Sequence, residues 1–191
     1  MRLKDLIEMV TEAARNELSG IETTRNLDPA EQHQIARKVG LAAIKYADLS
    51  NHRTSDYLFD LERFTSFRGR TGPYILYSAV RIKSILRRAT EQGIVPGELL
   101  PPSAPDERAL MLVVSQFSDA LSRALEQRAP NHLCEYAYTL AFAVNRFYNA
   151  CHILGETNRA RQAAWLALSQ LCLRQLEQVS SLLGMEIPER M

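Results

Sequence analysis

The 191-residue sequence is poor in the residues that build metal, redox and membrane sites. Its three cysteines form no C-x-x-C pair, so the sequence supports neither a disulfide framework nor a zinc site. The four histidines are scattered, and none lies at ligand spacing from another histidine or a cysteine, so we predict no metal site. No apolar run is long enough to span a bilayer, and residues 1–20 carry acids instead of an apolar core. We therefore expect no membrane span, no signal peptide and a location in the reducing cytoplasm.

The sequence also lacks a large excess of charge of either sign, because its formal net charge is only +1. No global field therefore attracts a polyanion, and any such contact has to be a local patch. The segment from Arg63 to Ala89 holds seven Arg or Lys residues, interleaved with aromatics, and no Asp or Glu. We call this segment the basic run, and its candidates for contact with a polyanion are Arg68, Arg70, Arg81, Lys83, Arg87 and Arg88. The alternative is a helix whose basic face is only solvated.

Helical periodicity recurs along the chain. The apolar spacing predicts helices over residues 2–19, 28–46, 73–92, 106–127, 131–154 and 157–183. Residues 23–26 and 69–72 are typical of a loop and a turn, and residues 57–59 form a short apolar run that could be a strand. Four of the eight prolines fall in residues 94–105, which we predict to be a linker. Helices joined in this way predict an all-α fold, a helical bundle.

The apolar stripes also predict which side chains form the core. In the helix predicted over 106–127, the spacing places Leu110, Leu121 and Leu125 toward the interior. The single tryptophan, Trp165, is expected to pack between helices.

No constellation of residues predicts catalysis. Residues 69–72 lack the strand–loop–helix context of a nucleotide-binding loop and are interpreted as a turn. The carboxylate pairs Asp60/Glu62 and Asp106/Glu107 are typical of helix N-termini, where the helix dipole stabilises anions. We therefore predict no catalytic residue in this chain.

The helix predicted over 131–154 has a polar face beside its apolar stripe. Tyr138, Asn145, Tyr148, Asn149 and His152 lie on it at offsets of three, four or seven. Tyrosine rings are stacking platforms for unpaired RNA bases, and an amide can read a base edge. The alternative is that the tyrosines cover the bundle and the amides face solvent.

Several motifs stand in a fixed order along nearly the whole chain. They are Val39-Gly40-x-x-Ala43-x-Lys45-Tyr46-x-Asp48-Leu49, Phe59-Asp60, Phe67-x-Gly69-x-Thr71-x-Pro73-Tyr74-x-x-Tyr77-x-x-x-Arg81-Ile82, the F-N-x-F-Y-like run within residues 143–148, and residues 183–191. Together these motifs resemble those of class I arginyl-tRNA synthetases. The chain departs from the family at Leu76, where glutamine is common.

The resemblance implies both a domain organisation and a site. It implies a DALR-type anticodon-binding bundle over residues 73–191, with the Pro-rich linker 94–105 inside it. Residues 1–72 would be a helical connecting region that follows the catalytic domain. In this family the bundle cradles the anticodon loop, so the implied anticodon contacts are Asn145, Tyr148 and Met191.

The resemblance also implies partners and an activity for the parent enzyme. The parent would activate arginine with ATP and attach it to arginine tRNA. This chain has neither the H-I-G-H-like nor the K-M-S-K-S-like signature, so we expect it to be the C-terminal portion, inactive by itself and without a cofactor. Its expected partners are arginine tRNA and the catalytic domain of the parent enzyme, and we expect a monomer. The alternative function is a helical scaffold or protein-interaction domain that has lost RNA binding.

Overall fold

Helices form the architecture of residues 2–25, 27–58 and 60–191, which are the residues that the computed structural model describes. These ranges contain α1 (Leu3–Ser19), α2 (Glu22–Arg25), α3 (Pro29–Leu49), α4 (Leu61–Thr65), α5 (Gly72–Glu91), α6 (Pro105–Ser115), α7 (Phe117–Gln127), α8 (Asn131–Ala150), a 3₁₀ turn (Ile153–Gly155) and α9 (Arg159–Leu182). Across the described ranges no β-strand occurs, so the predicted all-α class is confirmed. The possible strand is absent at residues 57 and 58, and Phe59 lies outside the described residues.

Local capping sets where three of the long helices, α3, α5 and α9, begin. The carboxylate of Asp28 accepts two N–H groups of the first turn of α3, at 2.9 and 3.1 Å, as the Asp28-Pro29 pair predicts. The hydroxyl of Thr71 accepts the N–H of Tyr74 at 3.2 Å at the start of α5. Asn158 caps α9 in the same way at 3.1 Å. Because each cap involves residues two or three positions apart, these boundaries are encoded locally.

Two connections differ from the prediction. Residues predicted as the loop 23–26 belong to the short helix α2, except Asn26, which is outside the described residues. The helix predicted over 131–154 ends at Ala150, because Cys151 is extended, with φ −114° and ψ 112°. The predicted polar face is therefore interrupted, and His152 lies beyond α8.

The helix predicted over 106–127 is two helices that meet at Gln116. The carbonyl oxygen of Val114 accepts a hydrogen bond from Nε2 of Gln175 in α9, at 3.1 Å. The Gln175 side chain is itself oriented by the Tyr136 hydroxyl, which donates to its Oε1 at 2.7 Å. A carbonyl bonded by a neighbouring helix is less available to the N–H four residues on, so the ladder breaks there.

This break overturns part of the predicted core. Leu110 is fully buried as expected, but Leu121 is 37% exposed and Leu125 is 77% exposed. After Gln116, the second helix buries Ala124 instead of the two leucines. The apolar spacing predicts the wrong buried residues here because it assumes one continuous helix, whereas the helix is interrupted at Gln116.

One continuous cluster of buried side chains joins the principal helices. It runs through Ala14 of α1, Val39 of α3, Ile75 of α5, Leu140 of α8 and Leu176 of α9. The predicted boundary between residues 72 and 73 falls at the start of α5, and the core is continuous across it. The division into 1–72 and 73–191 stays a prediction.

The linker and the tryptophan are both packed against the bundle. Residues 94–104 contain no helix, and the N–H of Gly97 donates to the carbonyl of Ala163 in α9 at 3.0 Å. A guanidinium nitrogen of Arg161 donates to the carbonyl of Pro101 at 2.7 Å, so the linker is fastened along α9. Trp165 is buried with its ring edge-on to Phe147, at 5.9 Å between centroids, which confirms its predicted place in the core.

Candidate nucleic-acid interface

A groove of about 810 Å³ lies between α5, the end of α8 and the C-terminus of the chain. We call it the α5–α8 groove. Its α5 wall includes Tyr77, Arg81, Ser84 and Arg88, whose spacings of four, three and four place them on one helical stripe. Its other walls include Tyr148, Asn149, His152, Thr23 and Met191. The fold therefore brings members of the basic run and of the predicted polar face to one surface.

Arg81 lines the groove and contacts two aromatic rings. Its guanidinium carbon is 4.8 Å from the ring centroid of Tyr77 and 4.9 Å from that of Tyr148. One of its terminal nitrogens donates to the Tyr77 hydroxyl at 3.1 Å, and the other donates to Oδ1 of Asn145. These contacts hold a permanent positive charge against two π faces, which is a favourable cation–π arrangement.

Asn145 joins α5 to α8 and holds Arg81. Its Nδ2 lies 3.1 Å from the Tyr74 hydroxyl, 2.7 Å from the Ser78 hydroxyl and 2.9 Å from the carbonyl of Ala141. Burial raises the pKa of the Tyr74 phenol, so this partner stays neutral at physiological pH. Since the Asn145 amide is engaged on both its oxygen and its nitrogen, the geometry favours a role in positioning Arg81. Direct contact of Asn145 with a base stays a prediction.

Unlike Asn145, the other two predicted anticodon contacts line the groove, and they differ in exposure. Tyr148 is 40% exposed, so part of the residue remains accessible to a ligand beside its contact with Arg81. Met191 is only 5% exposed and forms part of the wall. A main-chain oxygen of Met191 accepts the Thr23 hydroxyl at 2.6 Å.

The six candidates of the basic run separate onto different surfaces. Arg81 and Arg88 line the groove. Arg87 is exposed but lies about 100° around the helix from Arg88. The Lys83 side chain is 14% exposed and pairs with Glu189 at 2.6 Å and with Glu177 at 3.5 Å. Both Arg68 and Arg70 are exposed, and they precede α5. Only Arg81 and Arg88 of the six are therefore brought to the groove, and the predicted RNA contacts of the others remain untested.

A second aromatic group continues from the groove along α8. The Tyr138 ring stacks on Phe142 at 6.2 Å between centroids and lies 5.8 Å from that of Tyr74. The guanidinium carbon of Arg70 lies 4.9 Å from the Tyr138 centroid. Phe142 is exposed and was not selected from the sequence, because a single exposed aromatic leaves no periodic signal.

Thr23 is a groove residue that the sequence does not indicate. The local pattern predicts a loop there, and nothing local connects Thr23 to Met191. The 168 positions between Thr23 and Met191 make their contact a result of the tertiary fold.

The carboxylates at the start of α6 have the structural role that was predicted. Asp106 pairs with Arg146 at 2.7 Å. Glu107 is buried, and its Oε2 accepts the N–H and the hydroxyl of Ser103 at 2.7 and 3.0 Å. Burial by itself would raise the pKa of Glu107, but the hydrogen bonds and Arg161, 3.3 Å away, lower it below its usual value. A charged, fully paired carboxylate at a helix start is a structural anchor.

The cysteines and charged clusters do not form a second kind of site. Cys134, Cys151 and Cys172 are buried free thiols, and burial raises the pKa of Cys134 and of Cys172 to about 12. Within residues 2–25, 27–58 and 60–191, no group of three or more His, Cys, Asp or Glu could hold a metal ion. In the same ranges, every helix is too short or too polar to cross a membrane.

Comparison with known proteins identifies two parts of the chain. Residues 75–191 match the family described as the DALR anticodon binding domain. Residues 1–61 match the family described as tRNA synthetases class I (R), catalytic domain. The second match covers most of the segment that was interpreted as a connecting region.

Curated relatives and solved structures agree with these matches. The chain is 50% identical over 190 residues to an arginine–tRNA ligase of Maricaulis maris, covering 100% of this chain and 32% of the relative. It is 45% identical over 192 residues to that of Alkaliphilus oremlandii, with the same coverage. The arginyl-tRNA synthetase of Thermus thermophilus superposes with a TM-score of 0.86 at 30% identity, covering 100% of this chain and 32% of that one. That of Plasmodium falciparum superposes with a TM-score of 0.83 at 30% identity, covering 100% and 34%.

The chain spans about a third of the length of the relatives it matches. The resemblance seen in the sequence motifs is confirmed by both kinds of comparison. The chain therefore belongs to the arginyl-tRNA synthetase family and corresponds to the C-terminal portion of such an enzyme, which contains the DALR anticodon-binding domain.

Proposed function

We propose that the α5–α8 groove binds the anticodon arm of arginine tRNA. The observation that carries the proposal is the guanidinium of Arg81 held between Tyr77 and Tyr148 in an open groove. A permanent cation beside an exposed ring suits a single-stranded loop, whose phosphates carry charge and whose unstacked bases offer π faces.

Five residues in or beside the groove have a role in this proposal. Arg81 and Arg88 contact phosphates, and the exposed part of the Tyr148 ring stacks on a base. Asn145 holds Arg81 in place, and Met191 forms the part of the groove wall that faces the anticodon loop.

The whole protein uses ATP to attach arginine to the tRNA, and this chain supplies affinity for the anticodon end. The chain acts as a monomer in the cytoplasm, where its three buried free thiols remain reduced.

Binding of arginine tRNA, compared with the same tRNA carrying changed anticodon bases, tests the proposal directly. The dissociation constants are measured at two salt concentrations with the purified chain. We expect an affinity that decreases when the anticodon is changed and also when salt is raised, because phosphate contacts release counterions. Equal affinity for both tRNAs would mean contact with the backbone only. No binding to either would favour the helical scaffold or protein-interaction domain.

Arg88 and Arg87 provide a matched pair of variants on one helix. Arg88→Glu is expected to weaken tRNA binding and to reduce the slope of log affinity against log salt by about 0.7 to 1, the value for one phosphate contact. Arg87→Glu makes the same change of charge one residue away, outside the groove, and is expected to have a smaller effect. The slopes come from titrations at several salt concentrations. Equal effects of the two variants would assign binding to the general field of α5 and would contradict the groove.

A further inference from the structure

The C-terminal tail, residues 184–191, is attached along one face of α3. The ammonium of Lys45 donates to the carbonyl of Gly184, Lys38 pairs with Glu186 at 3.4 Å, and Glu31 pairs with Arg190. The three α3 residues follow one another at intervals of seven positions, which is about two helical turns, so they lie on one face of the helix. Since later tail residues contact earlier α3 residues, the tail runs antiparallel to the helix.

The last contact of this series has the best geometry. Nε and Nη2 of Arg190 each donate to a separate oxygen of Glu31, both at 2.8 Å. A fork of this kind fixes the direction of the arginine as well as its distance. The next residue is Met191, which is buried in the wall of the groove and is held by Thr23.

We infer that Arg190 is a positioning residue, and that its pairing with Glu31 holds the tail on α3 and thereby fixes Met191 in the α5–α8 groove. The consequence for RNA affinity rests on the proposed function of the groove. The pairing also has a structural consequence that needs no RNA. Glu31 lies within the residues that match the catalytic-domain family, whereas Met191 lies within those that match the anticodon-binding family. The tail therefore links the two parts of the chain mechanically.

Solvent exposure makes this link sensitive to salt. The side chains of Arg190 and Glu31 are 56% and 30% exposed, so dissolved ions screen their attraction. The apolar part of the tail, Met185, Pro188 and Met191, is buried and is not screened. Salt should therefore loosen the end of the tail without unfolding the bundle.

Release of Met191 by carboxypeptidase Y tests the link without RNA. Glu31→Arg leaves the tail sequence unchanged and is expected to speed release about fivefold, the upper range for an exposed ion pair. The double variant Glu31→Arg/Arg190→Glu re-forms the pair in reverse and should return to the slow rate. The substitution Arg190→Glu also changes the sequence that the protease cleaves. The release rate of the double variant is therefore divided by the rate for the free peptide of residues 184–191 that carries the same substitution. Glu126→Arg makes the same change of charge on an exposed residue of α7 and should leave release unchanged.

The same variants, titrated with arginine tRNA, separate positioning from direct contact. If Arg190 positions Met191, Glu31→Arg lowers affinity and the double variant restores it. If Arg190 instead contacts phosphate, Glu31→Arg frees it and does not weaken binding, and the double variant stays weak. That result, or a release rate that does not change in Glu31→Arg, overturns the inference. Absence of tRNA binding by the unmodified chain overturns the proposed function and leaves the release experiment valid.

Discussion

Replacing Arg81 by alanine is expected to lower affinity for arginine tRNA by about tenfold to a hundredfold, in the range for losing a hydrogen bond to a charged group such as a phosphate. The change removes a cation of the groove together with its contacts to the rings of Tyr77 and of Tyr148. It also leaves the Asn145 side chain without the donor that it bonds. Affinity is measured by titration, and helix content by circular dichroism in parallel.

Two further variants define what Arg81 contributes. Arg81→Lys keeps the charge but loses the planar group that lies over two rings, so an intermediate affinity is expected. Arg146→Ala removes an exposed arginine one residue from Asn145 that pairs with Asp106, and should have little effect. Unchanged affinity in Arg81→Ala would exclude the groove as the binding surface.

Tyr148→Ala separates stacking from charge at the same place. It should lower affinity for the anticodon loop while helix content remains intact, because 40% of Tyr148 is exposed. Loss of folding in this variant would instead assign Tyr148 to the core.

Gly72→Ala is expected to destabilise the chain by about 1–3 kcal/mol, the usual cost of forcing an extra group into a packed contact. A Cβ on Gly72 would lie 2.2 Å from the carbonyl oxygen of Ala42 and 2.5 Å from its carbonyl carbon. These are backbone atoms of α3, so no side-chain rotation relieves the overlap, and the start of α5 has to move. The free energy of unfolding is measured by urea denaturation.

Gly20→Ala is the matched control for this effect. Gly20 has φ −74°, which any residue adopts, and the nearest atom to an added Cβ is 3.4 Å away. Its free energy of unfolding should change by less than about 0.5 kcal/mol. Similar losses in the two variants would show that close contact with α3 is not what requires glycine at position 72.

The position of Gly72 also connects stability to the groove. Gly72 begins the helix that carries Tyr77, Arg81 and Arg88, so displacement of its N-terminus shifts the basic wall of the groove. We expect Gly72→Ala to weaken tRNA binding even under conditions where the variant remains folded.

The sequence by itself determined the helical class and most helix starts. Asp28 before Pro29 and Thr71 before Gly72-Pro73 act through hydrogen bonds that span two or three residues. Interactions this local are present in any fold that contains the segment, so sequence patterns predict them. The family motifs likewise identified the relationship, because they are read directly as residue order.

The sequence also contained the information that separates Arg88 from Arg87. Counting from Arg81, a spacing of seven returns to the same helical face and a spacing of six does not. Charge alone groups the two arginines, whereas helical spacing places them on different faces of α5.

Only the tertiary structure decided the interruption at Gln116, the composition of the groove and the path of the tail. The interruption depends on Gln175, which is 61 positions from the carbonyl that it bonds. Pairing of Arg190 with Glu31 spans 159 positions, and Arg81 reaches Asn145 across 64. Contacts of this range arise when separate helices pack together, and a periodic pattern within one helix contains no information about which partner lies opposite. The physical reason is that caps and stripes act within one helical turn or two, whereas the groove exists only where α5, α8 and the tail converge.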